Sequence, residues 1–261
     1  MKKVLLIGDI HLAPKQDMSR MTWLGKYIVD EKPEIIVQMG DFGDYPSLSS
    51  YDKGKKSYEG RSYAADVKSV IVGQELLLGP LSQYNNSLKK AKTKQYKPRK
   101  IMLGGNHDEG RISRAINEDR KLEGVIGIED QRFADFGWEY SPYKEIINVE
   151  GVYLSHHFSR GLLDKPVTGN TATLGGNILK EMKDNAFQGH CHVYSVVNSI
   201  LPTGRKIWGG SIGCYFEHSV DYVSRKAQDE WARGVLMLNI EDNEIQDLSW
   251  ISLSTIKREY K

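Results

Sequence analysis

The sequence is short of three things, and each shortage excludes a class of protein. It has 2 cysteines in 261 residues, which excludes a scaffold stapled by several disulfides. Its apolar runs are only four or five residues long, far too short to span a membrane. Its charges nearly cancel, at a net +2, so any affinity for nucleic acid has to come from a local patch rather than from the whole molecule.

The start of the sequence is not expected to act as an ordinary signal peptide. Met1-Lys2-Lys3 resembles the charged start of one, but the apolar stretch behind it stops at Gly8-Asp9. That stretch is too short to serve as the apolar core of a signal sequence. The hydrophobic content of 39% and the charged content of 27% are those of a soluble globular protein. Together these features predict a cytoplasmic protein with no membrane association.

The first half of the chain alternates between two kinds of pattern. Apolar runs predict five buried strands, at residues 3–8, 34–39, 99–103, 151–155 and 185–188. Between the first two, apolar residues from Met21 to Ile28 follow a helical spacing, and Pro33 should end that helix. This β-α-β opening favours a parallel sheet and an α/β fold.

The remaining segments complete a prediction of one domain over residues 1–261. Further helices are expected at about 61–78, with Gly79-Pro80 breaking or kinking the first of them, and at 111–122. Residues 45–98 are expected to form a cap-like insertion. From about residue 195 onward the apolar pattern predicts a β-rich part.

A run of basic residues precedes the third predicted strand. Between Lys89 and Lys100 there are seven lysines and arginines and no acid. A solvated surface is the favoured interpretation, since charge runs usually need no partner. A contact with nucleic acid is the alternative, because the strand that follows leads into a polar cluster.

Polar clusters with metal-binding side chains follow all five predicted strands. They are Asp9-Ile10-His11, Gly40-Asp41-Phe42-Gly43-Asp44, Gly104-Gly105-Asn106-His107-Asp108, His156-His157 and Gly189-His190-Cys191-His192. Six of the seven histidines lie in these clusters, and only His218 lies elsewhere. Mixed oxygen and imidazole ligands suit borderline divalent ions such as Mn, Fe, Zn or Co, and suit Ca poorly. The set therefore predicts a metal-dependent enzyme.

Two of the clusters repeat one spacing. Asp9 and His11 are two residues apart, as are His190 and His192. On an extended segment this spacing directs both side chains to the same side, so that each pair could bind one metal or two adjacent metals.

In this order, the clusters resemble the full motif set of the calcineurin-like metallophosphoesterases, over roughly residues 4–192. The resemblance implies a four-layer α/β/β/α sandwich of two mixed sheets flanked by helices, with two divalent ions at the strand ends. It also implies phosphoester hydrolysis by a hydroxide that the two ions activate. The segment from Gly43 to Lys56 is similar to a subgroup encoded by tailed bacteriophages, which would place the protein in the host cytoplasm.

The resemblance assigns seven metal ligands. It implies Asp9, His11 and His192 on the first metal, Asn106, His156 and His190 on the second, and Asp41 as the bridge between them. Mn²⁺ is the first expectation, with Fe, Zn, Co, Ni or Mg as alternatives. His156 and His157 compete for one position, because neighbouring side chains on a strand point to opposite faces. The family register favours His156, which leaves His157 in the core or behind the ligands.

The resemblance also assigns catalytic residues beside the metals. His107 is the expected catalytic histidine, with either Asp44 or Asp108 accepting a hydrogen bond from its other ring nitrogen. A carboxylate partner is expected to keep His107 charged at neutral pH, ready to protonate the leaving oxygen.

Three arginines and one cysteine have weaker assignments. Arg111, Arg114 and Arg160 could each bind the substrate phosphate bidentately, or could be ordinary exposed arginines. Cys191 lies between two expected ligands and is interpreted as a small buried hydrophobe pointing away from them.

The motifs favour a phosphodiesterase or nuclease over a phosphomonoesterase. A protein phosphatase of this superfamily would carry Arg after Asp44 and Glu after His107, where this chain has Tyr45 and Asp108. A nucleic acid or a nucleotide is therefore the favoured substrate. A protein or small-molecule phosphatase is the alternative. A non-catalytic binding scaffold is disfavoured, because no expected ligand is missing.

Overall fold

In the computed structural model, which describes residues 1–51, 54, 56–219 and 223–261, the first of two large sheets has six strands. They are β1 (Lys2–Ile7), β2 (Ile35–Gln38), β3 (Arg99–Leu103), β4 (Glu139–Ser141), β12 (Gly234–Glu241) and β13 (Glu244–Ser252). The order is β13-β12-β1-β2-β3-β4. The strands β1 to β4 are parallel, and β12 and β13 add to one edge as antiparallel strands.

The second sheet has five strands. They are β5 (Ile147–Val149), β6 (Val152–Ser155), β9 (Ala186–Gln188), β10 (Tyr194–Ile200) and β11 (Lys206–Ile212), in the order β10-β11-β9-β6-β5. The central strands β6, β9 and β11 are parallel to one another. A separate two-stranded hairpin consists of β7 (Ser159–Arg160) and β8 (Lys165–Pro166).

Six α-helices accompany the sheets among the described residues. They are α1 (Ser19–Glu31), α2 (Tyr63–Lys90), α3 (Glu109–Glu118), α4 (Leu174–Met182), α5 (Arg225–Asp229) and α6 (Leu253–Tyr260). Short 3₁₀ turns lie at Pro46–Leu48, Lys56–Tyr58, Arg120–Leu122, Ile128–Gln131 and Phe133–Phe136. None of these described helices has both the length and the apolar character that crossing a membrane requires.

The sheets and helices form four layers, and successive side chains of a strand face different layers. On β1, Val4 and Leu6 belong to the core between the two sheets, where they join Leu154 of β6. The intervening residues, such as Leu5, face the helical layer that contains α1 and α6. On the far side, α4 covers the second sheet through Ile178. The expected α/β/β/α sandwich of two mixed sheets flanked by helices is therefore confirmed.

The five predicted strands form, and the β-rich character of the chain from residue 195 onward is present in β10 to β13. Of the break or kink expected at Gly79-Pro80, the break is wrong, because α2 continues to Lys90 with Pro80 inside it. Packing against α1 explains this, since a Cβ on Gly25 of α1 would lie 2.2 Å from the Leu77 carbonyl oxygen. Close packing of two helices can override the low helix propensity of proline.

Two boundaries differ from the prediction, and one prediction stays open. The helix α3 begins at Glu109 rather than 111, and residues 120–122 form a separate 3₁₀ turn. The extent of the domain and the cap-like role of residues 45–98 stay predictions, and Asp52, Lys53 and Lys55 lie outside the described residues.

Candidate metal centre

The polar clusters meet because their strands end at one edge of the sandwich. The parallel strands β1, β2 and β3 of the first sheet lead into the first three clusters. The parallel strands β6 and β9 of the second sheet lead into the last two. Parallel strands present their carboxyl ends at a common edge, and the two sheets pack face to face.

A first group of donors contains Asp9, His11 and His192. The Nε2 atom of His192 lies 2.9 Å from Oδ2 of Asp9 and 3.2 Å from Nε2 of His11. Nε2 of His11 is also 3.8 Å from the same Asp9 oxygen. Two imidazole nitrogens and a carboxylate oxygen thus converge on one point.

A second group contains Asn106, His156 and His190. Oδ1 of Asn106 lies 2.8 Å from Nε2 of His156 and 2.8 Å from Nδ1 of His190. The amide oxygen is therefore directed at the histidines. This arrangement differs from that of an asparagine that merely stabilises a turn.

Asp41 lies between the two groups. Its Oδ2 atom is 3.7 Å from Nε2 of His11 in the first group and 3.5 Å from Nε2 of His156 in the second. Its Oδ1 atom accepts a hydrogen bond of 2.7 Å from the backbone N–H of His107. Gly105 permits this approach, because a Cβ there would lie 2.1 Å from Oδ1 of Asp41.

The donor set fits divalent cations. Carboxylates of Asp9 and Asp41 are buried beside each other, at 0% and 1% exposure, where two anions without a cation would be costly. The outer nitrogens of two histidines are already engaged: Nδ1 of His11 is 3.3 Å from Oδ1 of Asp44, and Nδ1 of His156 is 2.8 Å from the Met39 carbonyl oxygen. Such partners fix the ring and direct Nε2 inward, as is usual for histidines that bind metals.

Four of these residues have a strained backbone. His11, Asp41, His190 and His192 have φ angles of 50°, 52°, 64° and 57°. The left-handed region is uncommon for residues other than glycine, and it clusters at functional sites. The i, i+2 argument from extended segments is therefore wrong, since His11 and His192 point inward because the chain turns sharply after each strand.

The charges of the groups reinforce one another. Burial alone would raise the pKa of the Asp9 carboxyl, but His192 and His11 outweigh it and hold the pKa well below its usual value. Burial would lower the pKa of His11, yet Asp44 and Asp9 raise it to about 10. The centre therefore holds its carboxylates in the ionised form that a cation requires.

The structure decides between the two possible partners of His107. Oδ1 of Asp44 lies 2.6 Å from Nδ1 of His107, which makes Asp44 the partner. Burial lowers the pKa of His107, because the nearby Asp41 and Asp44 do not compensate for lost solvation. This shift runs against the expectation that a carboxylate keeps His107 charged at neutral pH, and the charge of His107 stays a prediction.

Asp108, which was considered as a partner of His107, contacts backbone N–H groups. Its carboxylate accepts hydrogen bonds of 2.7 Å from the N–H groups of Gly105 and Glu109 and one of 3.1 Å from the N–H of Phe42. Burial raises the pKa of this carboxyl to about 7. Asp108 is thus the N-cap of α3 and ties the loop after β3 to the loop after β2.

Two of the three arginines direct their guanidinium groups at backbone carbonyl oxygens, and their role in binding substrate stays a prediction. Arg111 donates to the carbonyl oxygens of Asp44 and Tyr45, at 2.6 and 3.2 Å, and Arg114 donates to that of Leu48. Both therefore hold the segment that follows β2. Arg160 is exposed on the β7–β8 hairpin.

A cavity of about 240 Å³ opens beside the donors. It is lined by Asp41, Asn106, His107, His190, Cys191, His192, Val223 and Trp231. Cys191 is half-buried, with Sγ 3.6 Å from Nε2 of Gln188, and it packs against the cluster that contains Phe158 and Val167, which agrees with the expected small hydrophobe. Burial raises the pKa of its thiol to about 12, so it stays neutral.

An aromatic group from the C-terminal part completes the wall. The Phe216 ring lies 5.2 Å from those of both His11 and His192, and His218 stacks on Phe216 at 4.6 Å. The Trp231 ring lies 4.9 Å from that of His192. Phe216, His218 and Trp231 were not predicted to lie near the metal centre. Their signal was their position directly after β11 and directly before β12, both of which meet the same edge.

His156 and His157 have different surroundings. His156 contacts Asn106 and lies near Asp41, whereas both ring nitrogens of His157 are buried without a hydrogen-bond partner. Burial lowers the pKa of His157 to about 4. However, ring nitrogens of His156, His157 and His190 also lie close enough together for these three residues to hold a metal ion.

We expect His156→Ala to lower the metal content of the purified protein by about one ion, and His157→Ala to leave it unchanged. Elemental analysis of protein purified without chelator measures both. Circular dichroism should show that each variant is folded. Equal losses in the two variants would contradict the assignment of His156, and a loss in His157→Ala alone would reverse it.

Comparison with known proteins agrees with this geometry. The family model for calcineurin-like phosphoesterases matches residues 2–223. The chain is 23% identical to the Gene 54 protein of Mycobacterium phage L5 over 250 residues, which is 94% of this chain and 91% of that protein. It is 22% identical to the Gene 54 protein of Mycobacterium phage D29 over 257 residues, with the same shares covered.

Solved structures include a more distant match. The structure of Yfce, a phosphoesterase from E. coli, aligns with a TM-score of 0.38 and 12% identity, covering 96% of this chain and 100% of that one.

The chain therefore belongs to the calcineurin-like phosphoesterase family, whose members are metal-dependent hydrolases acting on phosphoester bonds. The predicted family and the predicted similarity to bacteriophage proteins are both confirmed.

Proposed function

We propose that this protein is a phosphodiesterase that uses two divalent ions. Asp9, His11 and His192 would hold one ion and Asn106, His156 and His190 the other, with Asp41 shared by both. Mn²⁺ is the metal we favour, because the donors mix carboxylate and amide oxygens with imidazole nitrogens. When bound, such ions neutralise phosphate charge and lower the pKa of a coordinated water toward neutrality.

We favour a diester substrate because of the charge of the cavity. Within the part of the chain that the structure describes, the lining of this cavity contains no lysine or arginine. Arg111 and Arg114 are engaged with backbone carbonyls instead. A phosphomonoester carries a charge of about −1.5 to −2 at neutral pH, whereas a diester carries a single charge. A cavity without additional cations suits the singly charged ester.

The chain's own residues supply the proton chemistry. Asp44 accepts from Nδ1 of His107, at 2.6 Å, so a proton that His107 transfers would leave from Nε2 of the doubly protonated ring, with the Nδ1 proton remaining in the hydrogen bond to Asp44. His107 lines the cavity, where the Nε2 proton would reach the oxygen of the departing group. Asp44 also lies 3.3 Å from Nδ1 of His11, which couples the position of His107 to that of a proposed metal ligand.

The substrate we favour is a nucleotide ester or a single-stranded nucleic-acid end. The basic run from Lys89 to Lys100 spans the end of α2 and the start of β3, whereas the donors follow the other end of β3. Three strand residues, Ile101 to Leu103, separate the end of the run from the cluster that begins at Gly104, a rise of about 13 Å from Lys100, so the run gives no support for a contact with the reacting phosphate. The similarity to phage proteins favours the host cytoplasm as the place of action.

Paired substrates test this proposal. Protein loaded with Mn²⁺ should hydrolyse bis-p-nitrophenyl phosphate with a kcat/KM at least about 10-fold above that for p-nitrophenyl phosphate. Asn106→Ala should abolish most of this turnover, because the second donor group loses an oxygen ligand. A preference for the monoester would make the protein a phosphatase. Full metal loading without turnover of either ester would make it a binding scaffold.

A further inference from the structure

The lining of the cavity beside the metal centre combines two kinds of side chain. It contains donors and His107, and it also contains Val223, Cys191 and the indole of Trp231. Because the Trp231 ring lies 4.9 Å from that of His192, a substituent on an anion bound at the donors would lie within reach of this indole. A ligand that combines a phosphate with an uncharged flat ring matches both kinds of side chain.

Trp231 is held firmly relative to the donors. Its ring meets that of His192 at 4.9 Å and that of Phe216 at 5.3 Å, both nearly edge to face. The next residue, Ala232, donates its N–H to the His192 carbonyl oxygen at 2.9 Å. The Ala232 carbonyl oxygen accepts from the N–H of Cys214 at 2.8 Å. The backbone beside Trp231 is thus bonded directly to the loop that carries a proposed metal ligand.

A tryptophan held in this way presents a fixed aromatic ring, on which a flat ring of a ligand can stack. Trp231 is half-buried and keeps part of its surface on the cavity. Arg233 lies 5.7 Å from the centroid of the ring, a cation–π contact that helps to hold the indole in place. Every nucleobase has a flat face that stacks on an aromatic side chain, and this stacking does not depend on base identity.

The size of the cavity limits what the wall can receive. Its volume of about 240 Å³ is below the range of about 300–1,000 Å³ that is usual for sites of drug-sized ligands. That space suits a phosphoryl group and one ring, whereas a base-paired duplex would have to remain outside.

We propose that Trp231 forms a subsite that stacks a single nucleobase of the substrate, next to the phosphate held at the metal centre. The inference rests on the proposed function in one respect, which is that the centre binds phosphate. It goes further by assigning a substrate class, an unpaired nucleoside phosphate, and a residue that selects it.

Calorimetric titration of the Mn²⁺-loaded protein tests the subsite without depending on turnover. The two probes are inorganic phosphate, which reaches only the metal centre, and thymidine 5′-monophosphate, which adds a ring. We expect the nucleotide to bind wild-type protein about 10-fold more tightly than phosphate. In Trp231→Ala this advantage should disappear, while the Kd for phosphate stays within about 2-fold of the wild-type value.

Two further variants separate stacking from folding. Trp231→Phe keeps an aromatic face and should retain most of the advantage of the nucleotide. Trp208→Ala removes another half-buried tryptophan, on β11, that does not line the cavity, and should retain all of it. Metal content and thermal unfolding of each variant report whether the centre is intact.

The outcomes are distinguishable. Equal Kd values for the two probes in wild-type protein, or equal weakening of both in Trp231→Ala, would overturn the subsite and leave the proposed function standing. Failure of wild-type protein to bind phosphate at all would overturn the proposed function and the subsite together.

Discussion

Replacing Asp41 with asparagine is expected to remove most of the bound metal and to lower phosphodiester turnover at least about 1,000-fold. Asp41 places one oxygen within 3.7 Å of His11 and 3.5 Å of His156, between the two donor groups. Asparagine preserves the shape and tolerates the φ of 52° at this position, so that only the charge is lost. Elemental analysis and kcat with bis-p-nitrophenyl phosphate measure the two effects.

Asp135→Asn is the matched control. Asp135 is exposed, and its Oδ2 atom lies 2.7 Å from Nε of Arg132. Replacing it should change neither the metal content nor the turnover. Thermal unfolding in the presence of a chelator should show that Asp41→Asn is folded but less stable than wild-type protein at neutral pH. Burial and Asp9 alone would raise the pKa of the Asp41 carboxyl, but three histidines outweigh them and lower it, namely His156, His107 and His11. The folded protein therefore stabilises the charge that asparagine lacks. Normal metal content in Asp41→Asn would contradict the placement of Asp41 between the groups.

The position of Asp41 also shows what the sequence could predict. Asp41 follows an apolar run, as do Asp9, Asn106 and His156, and runs of this kind formed strands as expected. Because parallel strands end together, the order of the clusters along the chain was enough to predict that they meet. The layers followed from the same alternation, with Val4 and Leu6 facing one layer and Leu5 facing the other.

The particular role of each polar side chain could not be predicted in the same way. Asp108 and Asp44 are both acids near His107, and their spacing in the sequence does not distinguish them. The distinction arises from the turn after β3, which directs Asp108 toward three backbone N–H groups and leaves Asp44 against the imidazole. Arg111 likewise contacts the Asp44 carbonyl oxygen because α3 begins two residues earlier than expected.

The position of Trp231 could not be predicted from the sequence for a different reason, which is the direction of the strand that follows it. The apolar pattern predicted a β-rich part from about residue 195 onward, but periodicity does not reveal whether a strand runs parallel or antiparallel to its neighbour. The strand β12 runs antiparallel to β1, with Val235 opposite Ile7. Its first residues therefore lie at the edge where β1 ends, and this brings Trp231 to the cavity.

Replacing His107 with glutamine should separate proton transfer from metal binding. We expect His107→Gln to retain both ions and to lower kcat by about 100- to 10,000-fold for a diester with a poor leaving group, such as dithymidine monophosphate. For bis-p-nitrophenyl phosphate the loss should be much smaller, because p-nitrophenolate departs without needing a proton. Elemental analysis and kcat for both diesters, measured on the same preparations, give the comparison.

Asp44→Asn provides the partner experiment, because Asp44 contacts Nδ1 of His107 at 2.6 Å and Nδ1 of His11 at 3.3 Å. This variant should lose turnover with dithymidine monophosphate and part of its metal affinity, since one contact orients the acid and the other orients a proposed ligand. The double variant should lose less than the product of the two single losses, as expected for residues acting as one unit. If His107→Gln instead slowed both diesters equally, His107 would act on the phosphoryl group that they share, and the departing oxygen would take its proton from elsewhere.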